Sequence, residues 1–125
     1  MKTIIAGGRT VCDMSTLMDA LDACPWTHQI TEVVCGMAPG ADTLGQTWAK
    51  ANCIPVAEFP AKWQEAKEKY GNYKAAGPIR NGKMAEYADA LIALWDGKSR
   101  GTKDMIAKAK LKGLVVFIYR VDITQ

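Results

Sequence analysis

Histidine is nearly absent from this 125-residue chain, with His28 alone, and the four cysteines, Cys12, Cys24, Cys35 and Cys53, include no C-x-x-C pair. That spacing argues against a zinc site or a redox pair, and neither a metal nor a cofactor is expected. Long apolar runs are missing too. None approaches the ~20 residues a membrane span needs. The first apolar stretch, Thr3-Ile4-Ile5-Ala6, falls short of the ~7–15 residues of a secretory core before glycines intervene. The expected location is therefore cytoplasmic, with no membrane partner. Repeats, low-complexity segments and internal boundaries are also lacking, so one domain over residues 1–125 is expected. Strong charge is lacking: the formal net charge is +3. That mildly favours anionic partners and does not by itself indicate a duplex DNA binder.

What is present is an ordinary globular composition, 49% hydrophobic and 23% charged, in a chain long enough to bury a core. Lys2 to Ala6 reads as a first strand, buried on both faces, that stops at Gly7-Gly8-Arg9. Asp13 or Ser15 can cap the helix that follows, and Met14, Leu17, Met18 and Leu21 put apolar side chains on one face of it. Thr31 to Cys35 is a second strand, with Cys35 read as a small buried hydrophobe. Gly36 to Gly40 is the next turn. Ala41, Leu44, Gly45 and Trp48 give the second helix its inner face. Ile54 to Phe59 is a third strand near an edge, because Pro55 lacks a ladder donor.

Ala75 to Asn81 opens a further helix, with Pro78 in its first turn and Met84, Tyr87 and Ala88 on one face. Ala90 to Trp95, the most apolar strand, is expected at the centre. The loop Asp96 to Thr102 joins it to a helix over Lys103 to Lys112, whose inner face carries Met105, Ile106 and Ala109. Gly113 ends that helix, and Leu114 to Tyr119 is the last strand.

Strands that alternate with helices predict an α/β fold: a Rossmann-like three-layer sandwich, mostly parallel, five-stranded, with helices on both faces. Ligands of such sheets sit beyond the carboxyl ends of the strands, where the strand order reverses. The turns Gly7-Gly8-Arg9, Gly36 to Asp42 and Asp96 to Thr102 all belong to that edge and should converge there. Strand, glycine loop and helix in succession can hold an anion on backbone N–H groups, and Lys98 and Arg100 add positive charge. An ordinary βα turn has much the same outline. Asp42 has two readings, as a favourable charge at a helix start or as a hydrogen-bond partner for a ligand hydroxyl or base.

Three familiar motifs are approached and missed. A P-loop needs a glycine five residues before Gly97, where Ile92 stands. Gly97-Lys98-Ser99-Arg100-Gly101 fits G-x-S-x-G, but the sole histidine precedes the serine and little chain follows to supply an acid and a base. No G-x-G-x-x-G follows the first strand. The polar stretch Ala61 to Lys74 interleaves Lys62, Lys67, Lys69 and Lys74 with Trp63, Tyr70 and Tyr73. Such a pattern can bind single-stranded nucleic acid. The favoured reading is a solvated helix or long loop with aromatic anchors, since Glu65 and Glu68 offset much of the charge.

The ordered set Gly8-Arg9, Gly36 with Gly40-Ala41-Asp42, Ala57 to Trp63, Ala76 to Asn81, Met84, and Asp96-Gly97 with Ser99 and Gly101-Thr102 resembles the SLOG superfamily. Within it the chain looks like the YspA/YpsA-like branch, found widely in bacteria and phages. The resemblance implies a Rossmann-like fold that binds a nucleotide or nucleotide-derived ligand, and self-association into a homo-oligomer. The superfamily includes LOG enzymes, which hydrolyse the N-glycosidic bond of nucleoside monophosphates, and DprA proteins, which bind single-stranded DNA. Arg80 and Met84 retain part of the LOG pattern, with the spacing to Met84 one longer. Asn81 replaces its lysine, and Met105 stands at its catalytic glutamate. Methionine cannot carry charge or take a proton, so the resemblance narrows the ligand class more than the reaction.

The expected ligand-binding residues are Gly7, Gly8, Arg9, Gly36, Gly40, Ala41, Asp42, Arg80, Asn81, Asp96, Gly97, Ser99, Arg100, Gly101 and Thr102. Phosphate would rest on Gly97 to Thr102 with Arg9 and Arg80 on its oxygens, and Asp42 would hold a ribose or base group. For the alternative of glycosidic cleavage, the candidate acids or bases are Asp42, Asp96 and Asp104. Nucleic acid is a less favoured partner than a small molecule.

Overall fold

Alternating apolar runs produce a sheet covered on both sides. The structure, a computed structural model, describes residues 1–37 and 40–121; Ala38 and Pro39, inside the expected Gly36–Gly40 turn, and residues 122–125 lie outside the described residues. The strands are β1 (Lys2–Gly7), β2 (Glu32–Cys35), β3 (Val56–Glu58), β4 (Ala90–Trp95) and β5 (Val115–Arg120). The helices are α1 (Met14–Ala23), α2 (Ala41–Ala51), α3 (Trp63–Tyr70), α4 (Ala76–Tyr87) and α5 (Arg100–Leu111). Short 3₁₀ turns cover Thr27–Gln29 and Tyr73–Ala75.

All strand pairs are parallel, in the order β3-β2-β1-β4-β5. This is the expected Rossmann-like layout. The centre, however, is β1, flanked by β2 and β4. On β1, Ile4 is in register with Val34 on one side and Leu91 on the other. The strand period of two sends side chains to opposite faces. Ile5, Val33, Ile92 and Leu94 pack under α1 and α2 with Leu17 and Leu21. Ile4, Val34, Leu91 and Ala93 pack under α4 and α5 with Met84, Met105 and Ile106. The chain therefore builds two apolar layers on one sheet.

Element ends follow local hydrogen bonding. Asp13 caps α1 by accepting the N–H of Ser15 at 3.0 Å. β3 is shorter than expected because Ile54 gives its N–H to Ala49 O at the end of α2 and Pro55 has none. It is an edge strand, as the proline predicts. α5 starts at Arg100, three residues earlier than expected, so Arg100 to Thr102 are helical rather than loop. Two residues expected on inner faces are not there: Met18 is 40% exposed and Tyr87 37% exposed. Tyr87 instead packs on Phe59 at the surface and lies under the Lys2 ammonium.

Two glycines on helices separate close packing from simple flexibility. A Cβ on Gly45 in α2 would lie 2.9 Å from Ile5 Cβ and Cγ2, whereas one on Gly82 in α4 meets nothing within 4 Å. Gly45→Ala is expected to destabilise the fold by about 1–3 kcal/mol through overpacking against β1. Gly82→Ala is expected to stabilise it by about 1 kcal/mol through helix propensity. Urea denaturation of both variants checks the pair; equal effects of one sign would contradict this packing.

Candidate functional site

The strand order reverses between β1 and β4, which is where a doubly wound sheet opens a crevice at its carboxyl edge. The chain turns away from both strand ends on residues that leave room. At the end of β1, a Cβ on Gly7 would fall 2.6 Å from Leu94 O and 2.7 Å from Ala41 Cβ. Only glycine lets β4 and the start of α2 come that close. The Gly8 carbonyl accepts N–H groups from Val11 at 3.2 Å and from Ala41 at 3.4 Å. Gly40, at φ +88°, lies with its would-be Cβ 2.7 Å from Arg9 Cα. The first and second glycine turns are thus locked backbone to backbone, and they meet the third at the same crevice as expected.

The crevice is a cleft of about 1080 Å³. Gly7, Gly8, Arg9, Gly36 and Asp42 line it from the β1 and β2 side. Arg80 and Asn81 enter from α4, and Asp96, Ser99, Gly101 and Thr102 from the β4–α5 side. Gly40, Ala41, Gly97 and Arg100 do not line it. Gly40 and Ala41 serve the turn packing just described. Gly97, at φ +84°, sits under the Arg120 guanidinium, which a Cβ would meet at 2.8 Å. Arg100, on the first residue of α5, is exposed.

Arg80 is the fixed cation of the cleft. Its Nη1 donates to Gly36 O and its Nε donates to Asn81 Oδ1 at 3.1 Å. Gly36 has no Cβ because that position lies 2.7 Å from Arg80 Cζ and 2.9 Å from Asp42 Oδ2. A guanidinium and a buried carboxylate therefore converge over one glycine, and Asp42 is 7% exposed. Below them the Cys35 thiol is pushed above its ordinary value, first by burial and then by the charges of Asp42 and Glu58, against the Met37 N–H and Arg80. It stays a thiol at neutral pH and offers no thiolate nucleophile.

Asn81 is 6% exposed and uses both ends of its amide. Besides accepting from Arg80, its Nδ2 donates to Gly101 O at 3.3 Å and to Asp104 Oδ2 at 2.9 Å. Asp104 in turn holds Lys108 Nζ at 2.9 Å, and that ammonium also donates to Pro78 O at 2.7 Å. This chain of bonds fastens α4 to α5 and aims Arg80. Asp104 belongs to that fastening and does not line the cleft, so its geometry suits structure rather than proton transfer.

The third turn is a tight carboxylate-closed loop. Asp96 Oδ1 accepts the N–H groups of Lys98 and Ser99, each at 2.8 Å. These bonds, Ser99 first and Lys98 second, hold the Asp96 carboxyl below its ordinary value. Trp95 Nε1 donates to Ser99 O at 3.1 Å and fixes the loop from behind. Ser99 occupies the N-cap of α5 without a side-chain capping bond, and its Oγ accepts from the buried Thr102 hydroxyl at 3.3 Å. The first N–H groups of α5 thus keep the positive end of the helix available at the cleft.

Met84 and Met105 line the cleft and are nearly fully buried, at 2% and 1% exposed. The surface they add is apolar. A further part of the lining was not anticipated as part of the site. It carries Trp63, Tyr73 and Lys74 from α3 and the 3₁₀ turn, with Met37 at the end of β2. Trp63 is 47% exposed and Tyr73 52% exposed, so these rings do not anchor the segment as expected. Met37 is a non-glycine residue at φ +63°, a strained backbone of the kind that clusters at binding sites. Proximity of residues 60–74 to the strand ends had no periodic signal in the sequence; the lysines interleaved with Trp63, Tyr70 and Tyr73 were its only sign.

His28 lies in the 3₁₀ turn that precedes β2, at the opposite edge of the sheet from Ser99, and removes any serine–histidine pairing. Among the described residues no group of three His, Cys, Asp or Glu is arranged to hold a metal ion. Among them, too, no helix is long and apolar enough to cross a membrane.

Residues 1–65 match the model of the YspA, cpYpsA-related SLOG family. The chain belongs to this family. The matched part of the SLOG domain contains β1, β2, β3 and the first two glycine turns. No curated protein matches the chain. Among solved structures it is similar to DNA processing protein A (DprA) from Streptococcus pneumoniae, with a TM-score of 0.74 and 18% identity. The alignment covers 98% of this chain and 51% of that one, so the SLOG chain spans about half the length of that DprA chain. At this identity the likeness is one of fold.

The third turn of the SLOG cleft has a pH signature. A carboxyl whose folded value lies below its unfolded one stabilises the fold above the unfolded value, and loses that contribution as pH falls through the folded value. Asp96→Ala is therefore expected to lower stability at neutral pH. The gap to the wild type should close as pH drops below about 3.9, the ordinary carboxylate value. Denaturant titrations across acidic pH measure this, and a gap that widens on acidification would contradict the loop geometry.

Proposed function

We propose that the cleft binds a nucleotide or nucleotide-derived small ligand by its anionic group. The observation that carries this reading is Arg80. Its guanidinium is oriented by Gly36 O and Asn81 within a cleft that also receives the uncapped N-terminus of α5. A guanidinium with remaining donors and a set of free helix N–H groups together form a receptor for phosphate oxygens. Arg9 lines the same cleft and supplies a second cation, and Asp42 supplies an acceptor for a ribose or base group. The family supports the ligand class.

Hydrolysis of the glycosidic bond is the less supported reading. Its acid would come from Asp42, Asp96 or Asp104. Asp96 is held ionised by two backbone N–H groups and Asp104 is bonded to Asn81 and Lys108. Met105 stands where a LOG-type glutamate would act. The cleft therefore holds more readily than it breaks.

Calorimetry with adenosine and guanosine monophosphates, a cyclic nucleotide and ADP-ribose tests the binding. At least one should bind the wild type. Arg80→Ala should weaken that binding by about tenfold or more, the worth of charged hydrogen bonds. Failure of the whole panel with a folded protein would overturn the reading. Chromatography of the same mixtures should show no free base, and its release would favour the hydrolytic reading instead.

A further inference from the structure

We propose that the α3 wall of the cleft is a stacking subsite for a planar ring, so that the ligand carries an aromatic base as well as an anion. This rests on the anion-binding reading above and adds to it the half of the ligand that Arg80 cannot recognise. Trp63 opens α3, and Tyr73 lies in the 3₁₀ turn that follows that helix. Both line the cleft with about half of their surface in solvent. Burial of a large apolar side chain stabilises a fold. Two rings left open at one cleft forgo much of that, and a flat apolar ligand face would cover them.

The local structure holds these rings at the cleft rather than in the core. Ala66 is the one buried residue of the eight in α3. Gly71, at φ +69°, ends the helix in a left-handed turn. Asn72 then caps the 3₁₀ turn by accepting the Lys74 N–H at 2.9 Å, which sets Tyr73 and Lys74 on the cleft side. Lys74 lines the same cleft and adds a cationic side chain to its wall. The wall thus combines π faces with positive charge, the pairing that binds bases without reading their edges. Stacking strength grows with ring size, so purine nucleotides should bind more tightly than pyrimidine ones.

The experiment compares two probes, adenosine monophosphate and ribose 5-phosphate, which share the phosphate and sugar and differ in the ring. It uses the wild type, Trp63→Ala, Tyr73→Ala, Tyr73→Phe and Arg80→Ala, with thermal denaturation of each as a check on folding. Trp63→Ala and Tyr73→Ala should each weaken adenosine monophosphate by about fivefold or more. Ribose 5-phosphate should be unaffected by both, and Tyr73→Phe should retain wild-type binding. Arg80→Ala should weaken both probes. Unchanged nucleotide affinity in the two alanine variants, or an equal loss for ribose 5-phosphate, overturns the stacking subsite and leaves anion binding standing. If the wild type binds neither probe nor any other nucleotide, the anion reading fails and the subsite with it. Salt-sensitive binding of an oligonucleotide, lost in Trp63→Ala, with no binding of the mononucleotide, also overturns it and assigns the rings to single strands.

Discussion

The missing side chain at Gly7 sets the geometry of the cleft. β1 and β4 are neighbours whose connections leave toward opposite sides, and the crevice between those connections stays open only if the chain can turn in the space of a backbone. At Gly7 a single methyl would overlap Leu94 O and Ala41 Cβ. The Gly8 carbonyl then fastens the start of α2 through Ala41 N–H. α2 in turn carries Asp42 to the floor of the crevice, and Gly36 provides the empty volume into which Arg80 and Asp42 both project. Arg80 and Asp42 are thus placed by a neighbouring residue that lacks a side chain.

Electrostatics divides the cleft into a polar half and an apolar half. On the polar half Arg80 is directed by Gly36 O and by Asn81, whose amide is itself fixed to α5. The Asp96 carboxylate spends Oδ1 on two N–H groups of its own turn. Those two bonds hold the Asp96 carboxyl below its ordinary value. Outside the cleft lining, Asp104 faces Lys108. On the apolar half lie Met84, Met105, Trp63 and Tyr73. The ligand we propose, with an anion at one end and a flat ring at the other, is chosen to meet both kinds of lining.

Much of this was legible in the sequence, for identifiable reasons. Glycines at the ends of apolar runs mark βα turns, and turns of parallel strands must share one edge, so the meeting of Gly8, Gly36 and Ser99 followed from alternation alone. Cys35, in an apolar run, is buried as expected. Helix starts were less legible: Ser99 occupies the N-cap position of α5 inside what reads as a glycine loop, so Arg100 is already helical. Roles fixed by pairing across the fold were not visible. Nothing local says that Gly97 yields to Arg120, that Asn81 grips Asp104, or that Trp63 and Tyr73 stand at the cleft, because each depends on residues far away in the chain.

The most direct test of the central claim is a nitrogen-labelled NMR titration of the whole chain with purine and pyrimidine monophosphates and ADP-ribose. The account predicts that at least one shifts the backbone amides of Gly8, Gly36, Asn81, Ser99, Gly101 and Thr102 together. Resonances of the last turn of α1, residues 20–23, and of the Thr27–Gln29 turn, at the far edge, should stay in place. Shifts confined to that far edge, or none at saturating ligand, would contradict a ligand site at the carboxyl ends of β1 and β4.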